Sequence, residues 1–74
     1  MSEVVVLAIS YNRLWKLLID KKMNKTKLRQ EARLSATTIA KMGKDEPVAV
    51  ESMLKICKVL NCDIGDIIEA VPNT

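Results

Sequence analysis

The sequence predicts a single all-α domain, a compact five-helix bundle, and three features favour that fold class. Its 74 residues leave room for one small hydrophobic core and no second domain. Two Gly, two Pro and 3% aromatic residues are too few for the tight turns and strands of an all-β domain. Leu, Lys, Ala and Glu, which favour helices, are abundant.

Four helix starts are marked by a small polar residue that lies between two apolar residues five positions apart. Such an apolar pair forms a hydrophobic staple across the first turn of a helix, and the polar residue caps it. The caps are Ser10, Asn24, Ser35 and Asp63. They predict helices over residues 11–22, 25–32, 36–42 and 64–70.

The first helix and one further helix are supported by apolar periodicity. In the first helix one stripe holds Tyr11, Leu14, Trp15, Leu18 and Ile19. We therefore expect Trp15 to be a core residue. A helix over residues 50–60 follows Pro47, and its periodic apolar positions are Val50, Met53, Leu54, Cys57 and Leu60.

The two ends of the chain lie outside the predicted helical domain, which spans residues 10–70. Residues 1–9 include Val4, Val5, Val6 and Leu7 in a row, and so have the composition of a strand without a partner. We expect a disordered arm or a strand that pairs with a second subunit, and give the least weight to packing on the same chain. Residues 71–74 are expected to be a tail, because Pro72 stops the last helix.

Charge is distributed unevenly along the chain. Residues 13–44 contain ten Lys or Arg against two acids, a net +8, whereas residues 45–74 carry a net −4. A run of charge often serves only as a solvated face. It is also the pattern of a surface that binds a polyanion, with an acidic surface behind it.

Several functional classes are disfavoured by what the sequence lacks. There is no His, and two cysteines, Cys57 and Cys62, cannot form a four-ligand zinc site, so no metal is expected. Both cysteines occupy apolar positions and are predicted to be reduced core thiols. No nucleophile with a base and no Gly-rich phosphate loop can be named, so we predict no enzyme, no catalytic residue, no cofactor and no small-molecule ligand.

The longest uncharged run, residues 4–12, is too short to span a membrane, and a cytoplasmic protein without membrane contact is predicted.

The second and third predicted helices meet at a tight turn. Only Arg33 and Leu34 separate residue 32 from the cap Ser35, which forces a steep crossing like that of a helix-turn-helix. Two stretches, NKTKLRQEARLSATTIAKMGK and VESMLKICKVLNCDIGDIIE, carry a resemblance to a known family. They resemble the Cro and lambda-repressor type of helix-turn-helix domain, a five-helix family of small bacterial and phage transcription regulators. The resemblance covers residues 10–69.

The resemblance implies which residues read DNA. It places base contacts at three residues of the third helix, Ala36, Thr37 and Lys41, where Thr37 would contact a base edge or a thymine methyl and Lys41 would reach guanine acceptors. Members of the family commonly have Gly at the turn, where this chain has Arg33. If the backbone there takes a positive φ, Arg33 bears a steric cost that Gly would not.

Phosphate contacts are expected where cations and free amide groups come together. Asn24 and Lys25 lie at the positive end of the dipole of the second helix, where an anion is stabilised. The predicted phosphate-contacting residues are Asn24, Lys25, Lys27, Thr38 and Lys44. Other cations contribute at least to the long-range field.

The resulting prediction is a sequence-specific transcriptional regulator that binds double-stranded operator DNA as a homodimer. The alternative is a protein-interaction module, such as an antitoxin-like or adaptor component. Such a module would use the acidic residues Asp45, Glu46 and Glu51 together with the apolar N-terminal arm.

Overall fold

The computed structural model describes residues 7–72, which form four α-helices, one 3-10 turn and a two-stranded sheet. In chain order the elements are β1 (Leu7–Ser10), α1 (Asn12–Asp20), α2 (Lys25–Ala32), α3 (Ala36–Gly43), α4 (Val50–Leu60), the 3-10 turn (Ile64–Asp66) and β2 (Glu69–Pro72). The strands are antiparallel, with Leu7 opposite Pro72 and Ser10 opposite Glu69.

The prediction of a fifth helix over residues 64–70, and with it a purely α fold, is wrong. The segment begins with a single 3-10 turn over Ile64–Asp66 and then extends into β2. Asp63 is the N-cap of this turn, as predicted, and the Asp66 carboxylate accepts a hydrogen bond from the Asp63 N–H at 3.0 Å. The rest of the segment gains more from pairing with β1, since an isolated strand leaves its backbone groups without partners.

The same strand pairing includes residues from both predicted terminal segments. Residues 7–9, expected to belong to a disordered arm or a strand for a second subunit, lie in β1 and pair within the chain. Residues 71 and 72, expected in the tail, belong to β2. The remaining parts of both predicted segments, residues 1–6 and 73–74, lie outside the described residues.

The other helices follow the sequence pattern closely, with differences at their ends. The bounds of α2 and α4 are those predicted, and α3 is one residue longer. The first helix is shorter than expected because Lys22 adopts a positive φ of 57° just after it. Its N-cap is Tyr11 rather than Ser10. The Ser10 hydroxyl instead accepts a hydrogen bond from the Asn12 N–H at 3.3 Å.

The core lies between the helices and includes Tyr11, Leu14, Leu28, Met42 and Ile56, all of which are fully buried. Two predicted apolar stripes are narrower than expected. In α1 the side chain of Ile19 is 73% exposed, and Trp15 is half-buried against the core. In α4 the buried residues are Met53, Ile56 and Leu60, whereas Val50 and Leu54 are 60% and 54% exposed. The two helices therefore leave apolar side chains in solvent.

Within residues 7–72, none of the helices combines the length and the apolar character that crossing a bilayer requires.

Candidate nucleic-acid interface

The turn between α2 and α3 is built on a left-handed residue. Arg33 has φ 55° and ψ 46°, so the positive φ considered from the sequence is present. The turn is closed by a hydrogen bond from the Leu34 N–H to the Arg29 carbonyl at 2.9 Å. The buried Leu34 side chain packs in the core beneath the turn. The chain thus keeps the tight turn although a residue with a Cβ occupies its left-handed position.

Side-chain caps fix where α2 and α3 begin. The Asn24 Oδ1 accepts a hydrogen bond from the Lys27 N–H at 2.7 Å, and the Ser35 Oγ accepts one from the Thr38 N–H at 3.1 Å. Both predicted caps are confirmed. The first two N–H groups of each helix, those of residues 25, 26, 36 and 37, have no acceptor within their own helix. Each helix therefore presents free amide donors and a positive dipole end.

One side of α3 faces the core, and the opposite side faces solvent. Met42 is fully buried and Ile39 is half-buried. The three predicted base-contacting residues, Ala36, Thr37 and Lys41, are exposed, as is Ala40 between them. Their spacing places them along one face of the helix. This face offers a hydroxyl, a methyl surface and an ammonium group to a ligand.

Lys25, at the start of α2, lies over the indole of Trp15. Its Nζ is 4.4 Å from the ring centroid, a cation–π contact that holds the ammonium group in a defined place. A Cβ on Gly43, near the end of α3, would lie 3.6 Å from the same Nζ. The ammonium group is thus close to residues of three helices. Sequence reasoning missed this role of Trp15, because nothing in a linear pattern links positions 15 and 25.

The other predicted phosphate-contacting residues differ in which polar or charged groups remain available to a ligand. Asn24 uses its carbonyl oxygen for the cap, which leaves its amide NH2 as the donor. Thr38 is half-buried, and its hydroxyl lies 2.9 Å from the Ser35 Oγ. Lys27 and Lys44 are exposed, and neither forms an ion pair within residues 7–72.

Arg13, which was expected to contribute to the basic field, is engaged elsewhere. Its Nη1 donates to the Gly65 carbonyl at 2.9 Å, and its Nη2 is 3.4 Å from a carboxylate oxygen of Glu69. The guanidinium group therefore ties α1 to the acidic C-terminal segment. Its charge is partly compensated there.

The acidic segment after α3 also has a structural role. Asp45 accepts a hydrogen bond from the Tyr11 N–H at 3.1 Å, and the Tyr11 hydroxyl donates to the Glu46 carbonyl at 2.8 Å. Burial, followed by the nearby Asp45 charge, raises the pKa of Tyr11. These contacts fasten the end of α3 to the start of α1. Asp45 is consequently occupied within the chain.

In the described part of the chain, no three Cys, Asp or Glu side chains come together as metal ligands. The two cysteines are free thiols and half-buried. Burial and the neighbouring Cys57 raise the pKa of Cys62 to about 11, so its thiol is protonated at neutral pH.

Comparisons with known proteins agree with this geometry. A family model described as the Cro/C1-type HTH DNA-binding domain matches residues 13–73. The fold is also similar to the crystal structure of the transcriptional regulator VanUg, form II, with a TM-score of 0.89. The two sequences are 48% identical, and the match covers 99% of this chain and 100% of that chain. Among curated proteins, none matches this chain significantly.

Proposed function

Because the chain belongs to the family of Cro/C1-type helix-turn-helix DNA-binding domains, we propose that it is a transcriptional regulator that binds a specific operator as a homodimer. Each subunit places α3 in the major groove of one half-site. The half-site centres are about 34 Å apart, one turn of the duplex. Bound at a promoter, the dimer blocks or recruits polymerase.

The observation that supports this proposal most is the exposed face of α3. The tight turn at Arg33 joins α3 to α2, and the cap at Ser35 fixes where α3 begins. Its outward residues, Thr37 and Lys41 among them, are open to solvent and to a base edge. A major groove is about 12 Å wide and admits an α-helix, so the solvent-facing side of α3 can reach base edges there.

Phosphate binding is supported by the charges around this face. Lys25 is held over Trp15 beside the free amide groups of α2, and Lys27 and Lys44 are exposed cations. Such contacts supply affinity and orientation, whereas the contacts from α3 supply specificity. Asn24 and Thr38 add polar donors at the two helix starts.

The adaptor alternative has less support. Of the acidic residues it would use, Asp45 is bonded to Tyr11, and of its N-terminal arm, residues 7–9 form β1. An adaptor would also leave the free amide ends and the exposed face of α3 without a ligand.

A titration against a random duplex at several salt concentrations tests DNA binding. Phosphate recognition predicts that the association constant falls steeply as salt rises, because bound cations are released from the duplex. Fluorescence anisotropy of a labelled duplex is the measurement. An association that does not respond to salt, or no association at low salt, contradicts the proposal and favours the adaptor.

Variants separate the two kinds of contact. Lys25→Ala should weaken binding equally on all duplexes, because phosphates carry no sequence information. Thr37→Ala and Lys41→Ala should instead change preference at particular base pairs, by about 1–3 kcal/mol for each lost contact. Lys55→Ala, a change of an exposed cation on α4, is the matched control. If Thr37→Ala and Lys41→Ala lower affinity uniformly, α3 does not read the sequence.

A further inference from the structure

A recess between the C-terminal end of α2 and the second half of α4 takes no part in the proposed DNA contacts. Its volume is about 670 Å³. The residues that line it are Glu31, Ala32, Arg33, Lys55, Lys58 and Val59. The predicted phosphate contacts begin at the other end of α2, with Asn24 and Lys25, and the helix is about 12 Å long. The recess is therefore a separate surface of the helix-turn-helix.

The floor of the recess is apolar and its rim is charged. Ala32 is buried and Val59 is half-buried, whereas the other four lining residues are exposed. An apolar centre inside a polar rim is the arrangement found in protein–protein interfaces.

The charge of the rim is mainly positive. Arg33, Lys55 and Lys58 provide three cations, and Glu31 is the one acid among the lining residues. Within residues 7–72, none of these four side chains forms an ion pair. The cations are thus open to an anionic partner, and their field attracts one.

Arg33 occupies this rim at a conformational cost. Its φ of 55° belongs to the left-handed region, where Gly is strained least. The turn itself does not need the guanidinium group, because a backbone hydrogen bond from Leu34 to Arg29 closes it. Strained residues of this kind are concentrated where a side chain has a function. A guanidinium group binds a carboxylate through two parallel hydrogen bonds.

The composition of the recess favours a protein segment as its occupant. A phosphate backbone would gain nothing from the apolar floor, and Glu31 would repel it. Small molecules bind in enclosed, largely apolar pockets, whereas most of the side chains here extend into solvent. A segment with an apolar side chain between carboxylates matches both the floor and the rim.

We propose that this recess binds an acidic segment of a partner protein. An apolar side chain of the segment covers Ala32 and Val59, and its carboxylates bind Arg33, Lys55 and Lys58. The site goes beyond the proposed function and does not depend on DNA binding. It also differs from the adaptor alternative, which uses acidic residues of this chain.

Reversal of single charges tests the site. The probe is a labelled synthetic peptide in which Leu residues are flanked by Asp and Glu, and fluorescence anisotropy gives its dissociation constant. Lys55→Glu and Lys58→Glu should each raise that constant at least about 10-fold, because an attractive charge becomes repulsive. Lys16→Glu is the matched control, since Lys16 is an exposed cation on α1 and its reversal changes the net charge equally. Circular dichroism shows that each variant is folded.

The outcomes of that experiment are distinct. Peptide binding that weakens in both recess variants and persists in Lys16→Glu supports the site. A wild type that does not bind the peptide at low salt overturns it. Equal weakening in Lys16→Glu overturns it too, because only net charge would then matter. So does equal binding of a control peptide with Asn and Gln in place of Asp and Glu, because carboxylates would then not be recognised.

Glu31 gives a test of opposite sign. Glu31→Gln removes a charge that repels carboxylates, so it should lower the dissociation constant of the acidic peptide about 1.5- to 5-fold. A variant that merely disturbed the end of α2 would weaken binding instead. A dissociation constant that rises or stays unchanged contradicts carboxylates bound at this rim.

A random duplex separates this site from a second phosphate site. Lys58→Glu should weaken duplex binding no more than Lys16→Glu does, because both act only through the net charge. If Lys58→Glu weakens duplex binding by as much as it weakens peptide binding, and Lys16→Glu does not, the recess binds the phosphate backbone and the inference is overturned. If the wild type binds the peptide through the recess but binds no duplex, the DNA-binding proposal fails and this site stands.

Discussion

Arg33 adopts a backbone conformation that disfavours every residue with a Cβ except, to some degree, Asn and Asp. Its φ of 55° and ψ of 46° are those of the left-handed region. The side chain is exposed, so little packing offsets this cost. The tight turn that brings α3 to its place is therefore maintained against local strain.

Arg33→Gly should raise the free energy of unfolding by about 0.5–1 kcal/mol, because Gly relieves the left-handed strain but adds entropy to the unfolded chain. Urea denaturation measures the change. Arg33→Ala is the control, because Ala keeps the Cβ and should give no such gain. A loss of stability in Arg33→Gly would mean that the Arg33 side chain stabilises the turn by more than its strain costs.

Lys25 and Trp15 give a second test at this scale. Trp15 is the only Trp in the chain, and the Lys25 ammonium group lies over its ring. If a DNA phosphate attracts this ammonium group, the field at the indole changes, and the emission of Trp15 should shift when duplex is added. The shift should be largely lost in Lys25→Met. An emission unchanged at saturating duplex, with binding established by anisotropy, contradicts a phosphate contact by Lys25.

The pKa of Cys62 predicts a dependence of stability on pH. Its folded value of about 11 exceeds its ordinary value of 9.0, so the folded state holds the proton more tightly than the unfolded state. The resulting stabilisation is complete below pH 9 and is lost as the pH rises from 9 to 11. Urea denaturation of the wild type and of Cys62→Val should therefore show a stability difference that changes in favour of the variant over this range. A constant difference would show that the thiol does not titrate in this way.

Individual residues were predictable where one local interaction decides them. Asn24 and Ser35 cap their helices as expected, because a cap depends only on residues within three positions. The exposure of Ile19 and the place of Trp15 beside Lys25 depend on how helices distant in sequence pack. Such contacts between helices cannot be deduced from the apolar periodicity of one helix.

At the scale of elements, α2 and α3 have only eight residues each, so intrinsic propensity alone would not keep them helical, and their caps add to their stability. The caps also leave the first amide groups free for an anion. Stability and the proposed phosphate contacts thus depend on the same two helix ends.

Asn24→Ala and Ser35→Ala should each lower the free energy of unfolding by about 1 kcal/mol, because each exposes an amide donor that the cap now satisfies. The conservative changes Asn24→Asp and Ser35→Thr keep an oxygen acceptor and are the controls. Urea denaturation is again the measurement. If the Ala variants are as stable as the controls, these hydrogen bonds do not hold the helix ends.

Elements were predicted well where the hydrophobic staple and the periodicity agree. The bounds of α2 and α4 show this. The segment after Asp63 has the same start signal, yet it ends after one 3-10 turn and becomes β2. Its outcome depends on Leu7–Ser10, more than fifty residues earlier, which offers a strand partner. Pairing over that distance cannot be deduced from the local pattern of either segment.

At the scale of the whole molecule, the helix-turn-helix arrangement accounts for much of the uneven charge of the sequence. Lys25 and Lys27 are exposed at the start of α2, and Lys41 and Lys44 are exposed at the end of α3. The C-terminal acids have other roles, since Glu69 pairs with Arg13 and Asp66 caps the 3-10 turn. The family and the helix-turn-helix were predictable from sequence. The recess between α2 and α4 was not, because it arises only when the two helices are packed together.

A selection of bound sequences from a random duplex pool tests the central claim most directly, because it examines DNA binding, specificity and symmetry in one measurement. The proposed role of α3 predicts enrichment of one motif made of two inverted half-sites whose centres lie about one helical turn apart. Recovery of sequences with no common motif, or of no duplex above background, would contradict it.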